Sequence, residues 1–251
     1  MAAYGLGGLT DLRSGKSLPF EEDYRPPIAE TIEQGKPLTT DQEGRPLGAQ
    51  YLAGRKVKGG DDTGLSTEEI EDIIFAFTGS PVEHIAANNP AIKALSGKAA
   101  GLTEDFRIII RDDIDKDSSE YRRILAHELG HAINFIASKQ WEPGQKPEPA
   151  HTIQISDEME EKLRSLYPQL NNGKPSPESR GYSKKEARHE LTADAIRAYI
   201  LNPAALKAKA PEVAALIREY VNANPRLNKK LQFSEAIPSS ILGPQGGSMI
   251  G

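Results

Sequence analysis

The chain has no cysteine among its 251 residues. This excludes disulfides, thiolate nucleophiles and cysteine-based zinc fingers, so any metal site must be built from histidine and carboxylate. There is no run of about 18 apolar residues, so no membrane-spanning helix is expected. Large side chains are also scarce: one Trp, three Met and 6% aromatics, within 37% apolar residues overall. That is lean for a globular chain, and the deficit sits mostly at the two ends. Net charge is −5 with the signs interspersed, and no basic stripe is present to track phosphates. Nucleic acid is therefore not an expected partner. The opening stretch, MAAYGLGGLTDLRSGK, has no basic segment followed by an apolar one. No signal peptide is expected, and the expected location is the cytoplasm of the producing cell.

What is present divides into three parts. Residues 1–63 are rich in Gly, Pro and charge and hold no helical or strand period, which predicts an extended arm. Residues 229–251 have the same character and predict an extended tail. Residues 64–228 carry the periodic segments of a folded domain. Ser66 with Glu69 forms a capping box before IEDIIFAFTG, and a second helical piece is expected after Pro81. DFRIIIRDD, 105–113, reads as a strand. The serine-capped stretch through AHELGHAINFIASK reads as a helix of about 20 residues and the centre of the domain. HTIQIS reads as a short strand. Further helices are expected over SDEMEEKLRSLYPQL, SKKEARHELTADAIRAYILNP and PEVAALIREYVNAN. The predicted class is α+β, mainly helical, with a small sheet beside the central helix and an extended arm at each end.

The stretch AHELGHAIN, 126–134, holds two of the chain's five histidines. Positions i and i+4 share a helix face, so His127 and His131 can offer two imidazole nitrogens to one cation. Glu128 sits at the side of such a site, within reach of a bound water. This is the arrangement of the H-E-x-x-H motif. Gly130 is costly in mid-helix, by about 1 kcal/mol against alanine, and close packing of another backbone would explain it. A catalytic zinc needs a third protein ligand. The sequence after His131 excludes the third-histidine pattern, leaving a distant His or carboxylate. HELTAD, 189–194, offers Glu190 as that ligand, with Asp194 one turn later to orient His127. His189 is adjacent to Glu190, about 100° around the helix, and is expected at the surface. His151 is expected in a solvated loop, and His84 in a structural role.

H-E-L-G-H followed by E-L-T-A-D resembles the gluzincin branch of zinc metallopeptidases. ELTADAIRAYILNP resembles the third-ligand helix of two groups, the anthrax lethal factor-like peptidases and the phage-associated peptidases of the ImmA/IrrE type. The second group usually has Asn where this chain has Asp194. The resemblance spans roughly 118–203. It implies a zincin-like domain holding one catalytic Zn2+ on His127, His131 and Glu190. It also implies Glu128 as general base, Asp194 behind a ligand, and Tyr182, eight residues before Glu190, as donor to the developing oxyanion. The implied activity is hydrolysis of peptide bonds in a protein or peptide substrate. In zincins the strand before the metal helix pairs with the substrate, which assigns that role to DFRIIIRDD. The alternative is an assembly subunit, a virion component by analogy, with the arms making the assembly contacts. A regulatory, repressor-removing protease would need a DNA-binding or sensing module, and none is seen.

Overall fold

The computed structural model describes residues 64–94, 100–102, 107–138 and 152–234, with short strands at 10–11, 16–17 and 51–53. Among these the chain is α+β and mostly helical. Strands β1 (Thr10–Asp11) and β2 (Lys16–Ser17) pair antiparallel, and β3 (Tyr51–Ala53) follows. Helix α1 (Thr67–Thr78) opens on the expected capping box: the Glu69 N–H donates to Ser66 Oγ, and the Ser66 N–H donates back to the Glu69 carboxylate. Such a cap contributes about 1 kcal/mol. Gly79, at φ 71°, closes the helix in the left-handed region.

After Pro81 the structure departs from the helical expectation. Glu83–Ile85 is strand β4. It lies parallel to β6 (Ile108–Arg111), whose other edge pairs antiparallel with β5 (Ala100–Leu102). A short helix, α2 (Pro90–Ala94), lies between β4 and β5. Ile108, Ile109 and Ile110 are all buried, as suits a strand covered on both faces. The tertiary pull of this triple-isoleucine strand explains why PVEHI is extended. It also corrects the role assigned to DFRIIIRDD: β6 is the middle strand, in the order β4-β6-β5, so neither of its edges is open to a peptide. The edge strands are β4, which is half-buried, and β5, which is buried.

Helix α3 (Ser119–Ile136) carries the histidine motif and is capped by Ser118, whose hydroxyl accepts the Tyr121 N–H. Helix α4 (Asp157–Leu170) begins at Ser156 with three acids in its first turn, where they complement the helix dipole. The preceding HTIQIS forms no strand among the described residues, and the Ile153 N–H donates to Asn134 Oδ1 instead of to a neighbouring strand. Helix α5 (Lys184–Leu201) starts on a second capping box, Ser183 with Glu186. Helices α6 (Pro203–Lys209) and α7 (Pro211–Ala223) each have proline in the first turn, where its missing N–H costs nothing. The sequence reading had no helix at α6.

Helix α5 is the axis of the fold. It packs on α3, α4, α6 and α7, and every residue from His189 to Ile200 is buried. Its contact with α3 is the most extensive between any two elements, and Gly130 permits it: a Cβ there would stand 2.6 Å from the Ala193 carbonyl oxygen. This is the backbone approach that the mid-helix glycine predicted.

Strand β7 (Leu231–Phe233) pairs parallel with β3. Ala53, Leu231 and Phe233 are fully buried, Tyr199 of α5 stacks on Phe233 at 4.3 Å, and the Tyr199 hydroxyl donates to the Ser234 carbonyl. Both strands fall outside the 64–228 limits expected for the folded domain. Three-residue strands are too short to show a period, so pairing across the whole chain was not visible in either segment. Most of 1–63 and all of 235–251, with the assembly contacts expected there, lie outside the described residues. No described helix is long and apolar enough to cross a membrane.

Candidate metal centre

Helix α3 presents His127 and His131 one turn apart, and α5, crossing at Gly130, brings Glu190 over them. The two Nε2 atoms are 3.1 Å apart. Glu190 Oε2 is 3.4 Å from His127 Nε2, and Oε1 is 3.4 Å from His131 Nε2. Two donors bonded at 2.0–2.1 Å to one tetrahedral zinc stand about 3.3–3.4 Å from each other. The three residues are buried, and Glu190 Oε2 makes no hydrogen bond there. A buried carboxylate oxygen without a donor is costly, and a cation among these atoms would satisfy it. This group can bind a metal ion.

Asp194 stands behind His127, with Oδ1 2.7 Å from Nδ1. The contact is bent away from the line of a hydrogen bond, and both atoms lack an aligned partner. At this separation the charge interaction does not depend on that angle. Asp194 is itself held by Asn171 Nδ2 at 2.5 Å and Arg197 Nη1 at 3.0 Å. Arg197 donates in turn to the Leu170 carbonyl at 2.6 Å. Burial works against the Asp194 anion, but Arg197 and then His127 outweigh it and hold the carboxyl below its usual range. Burial likewise opposes charge on His127, yet Asp194 and Glu190 outweigh it and push its pKa up to about 9. In the metal-free protein a proton on the ring thus takes the cation's place between two carboxylates.

His189 is not at the surface, as the sequence reading had it. It is buried, with Nε2 2.9 Å from His131 Nδ1 and Nδ1 3.1 Å from Asn134 Nδ2. Its ring packs on Phe135 at 4.9 Å. The expectation failed because α5 is buried all round from His189 to Ile200: a residue 100° from Glu190 still faces protein. The proton positions follow from the hydrogen-bond network. Asn134 Oδ1 accepts the Ile153 N–H at 3.0 Å, which turns its NH2 toward His189 Nδ1. A neutral His189 ring accepting there carries its proton on Nε2 and donates it to His131 Nδ1. Asn134, Asn171, Arg197 and His189 are the site residues that the sequence reading missed. An arginine and an acid at i and i+3 within an apolar helix were the one available signal.

Glu128 and Tyr182 join His127 in the wall of a cavity of about 90 Å³. A turn of 3-10 helix (Glu178–Arg180) and Gly181, at φ 89°, bring Tyr182 back over the metal helices just before the α5 cap. Tyr182 is buried, and its hydroxyl is in hydrogen-bonding reach of Glu190. Burial first, then Glu190 and Glu128, push its pKa above the usual phenol range, so it holds its proton at neutral pH. All six residues singled out from the sequence, His127, Glu128, His131, Tyr182, Glu190 and Asp194, are thus in one place. His84 stacks on Tyr121 at 5.6 Å, away from the centre, in keeping with a structural role. His151 lies outside the described residues. Compared with protein-family models, with curated proteins and with solved structures, the chain matches none.

Proposed function

We propose that the chain is a zinc-dependent endopeptidase with a zincin-like domain. The observation that carries this reading is the spacing of the Nε2 atoms of His127 and His131 and the Glu190 carboxylate, at 3.1–3.4 Å, beside the Glu128 cavity. A zinc ion, when bound, supplies Lewis acidity that lowers the pKa of a water to about 7 and polarises a carbonyl. Glu128 takes the proton of the attacking water and delivers it to the leaving amine nitrogen. The Tyr182 phenol donates a hydrogen bond to the carbonyl oxygen as negative charge develops on it. Asp194 and His189 fix the two imidazole rings. Ala100 of β5 lines the same cavity and so stands beside the bound substrate.

Elemental analysis of the purified protein tests the metal. About one zinc per chain is expected in the wild type and a large loss in His127→Ala. Glu128→Gln should keep its zinc but lose about 10²- to 10⁴-fold in cleavage of an unfolded protein substrate. A metal-free wild type, or equal cleavage by Glu128→Gln, refutes the reading.

A further inference from the structure

Three cavities meet at Arg123. One is the 90 Å³ cavity shared by His127, Glu128 and Tyr182, and the others measure about 360 and 410 Å³. Three arginines, Arg123, Arg180 and Arg197, line the 90 Å³ cavity beside Glu120 and Glu128, and Arg122 and Lys209 line the larger two. This gathering of guanidinium groups is set in a chain of net charge −5. Arg122 donates to the Leu65 carbonyl, Arg197 pairs with Asp194, Lys209 reaches Gln169, and Arg180 is in reach of the Tyr167 hydroxyl. Arg123 and Arg180 pair with no carboxylate among the described residues; Arg180 lies 5.7 Å from the centre of the Tyr182 ring. The guanidinia converge closely enough that Arg123 and Arg180, after burial, hold the pKa of Arg197 below its usual value.

Position along α3 gives this charge a use. Arg123, His127 and His131 follow at intervals of four, so they share one stripe, with Arg123 about 6 Å along the axis from the first ligand. Glu120 stands exposed nearly a turn further out. A cavity of about 90 Å³ has room for a short carboxylate side chain.

We propose that this cavity receives the carboxylate of an aspartate or glutamate next to the scissile bond, and that the substrate is an acidic peptide segment. The assignment rests on the peptidase reading, but the two can fail separately. Binding is measured by isothermal titration on the full chain, treated with chelator so that nothing is cut. The probes are the blocked peptide Ala-Ala-Glu-Ala-Ala and its glutamine isostere. The glutamate peptide should bind about 10- to 100-fold tighter. That discrimination should disappear in Arg123→Gln with Arg180→Gln, and Arg123→Glu should turn the preference toward a lysine peptide. Circular dichroism confirms that each variant is folded. Equal affinity for the two peptides, or discrimination surviving in the double variant, overturns the proposal. Mapping cut sites on an unfolded protein with the zinc-loaded chain is the second arm. Cuts clustered beside Asp and Glu support the proposal, and cuts without that preference overturn it while leaving the peptidase reading standing. If nothing is cut, the peptidase reading fails, and the binding arm alone decides whether the cavity takes carboxylates.

Discussion

His131 Nδ1 and His189 Nε2 are 2.9 Å apart, and the Asn134 amide on the far side of a neutral His189 ring assigns the proton between them to His189. The polarity originates at the Ile153 N–H and passes through Asn134 to His189, so that His131 Nδ1 accepts while its Nε2 faces Glu190. Ligation through Nε2 needs the opposite polarity, with Nδ1 of His131 donating. Asn134 therefore opposes metal loading. Asn134→Asp, which accepts from both Ile153 and His189, should raise zinc affinity about 10-fold, whereas His189→Ala should lower it about 10- to 100-fold. Competition with a chromogenic chelator measures both, and unchanged affinity in Asn134→Asp would refute this account of the proton order.

Gly130→Ala should destabilise the protein even though alanine favours a helix by about 1 kcal/mol. The added carbon meets the Ala193 carbonyl oxygen at 2.6 Å, which is backbone and cannot rotate aside. A net loss of about 1–3 kcal/mol in urea unfolding is expected. Zinc affinity should fall with it, since separating α3 from α5 moves Glu190 away from the histidines.

Asp194→Ala removes the carboxylate that His127, Arg197 and Asn171 share. It leaves the buried Arg197 charge without its partner, a change that typically costs about 3–5 kcal/mol. Asn171→Ala removes one hydrogen bond to the same carboxylate and should cost about 1–3 kcal/mol. Denaturant unfolding of the chelated protein should rank the two in that order.

The stability of the metal-free protein should depend on pH through His127. Its pKa is raised from 6.5 to about 9 on folding, so its contribution is complete below pH 6.5 and is lost as pH rises through 9. Glu190 and Asp194 are held below their ordinary 4.5 and 3.8, so their contribution is present above those values and is lost on further acidification. The chelated protein should therefore have its highest Tm from this cluster between about pH 4.5 and 6.5 and decline toward pH 9. Asp194→Asn should flatten that decline. A Tm in chelator that rises between pH 7 and 9 would contradict the assigned charge on His127.

The centre was largely legible in the sequence because its chemistry is local: His127 and His131 are one turn apart, and Glu190 and Asp194 share a second helix. Gly130 was legible for the same reason, since a mid-helix glycine carries a known cost. What was not legible depends on which elements surround α5. His189 is adjacent to Glu190, and only the packing of α3 against its side of the helix makes it part of the site. PVEHI became a strand because β6 offered it an edge, a fact recorded in IIIR and not in PVEHI itself. Arg180 and Tyr182 come to the cavity through a turn whose shape depends on Gly181 at φ 89°.

The pairing of β3 with β7 bears on the order in which the molecule assembles. Tyr51 and Leu231 are partners 180 positions apart, a separation that makes this among the slowest contacts to close. Phe233 supports Tyr199, on the helix that supplies Glu190. During synthesis the histidine pair emerges early and Glu190 later, but the buttress beneath Glu190's helix is completed only when residue 233 leaves the ribosome. A nascent chain halted before that point would hold the ligands without the clamp that keeps them together.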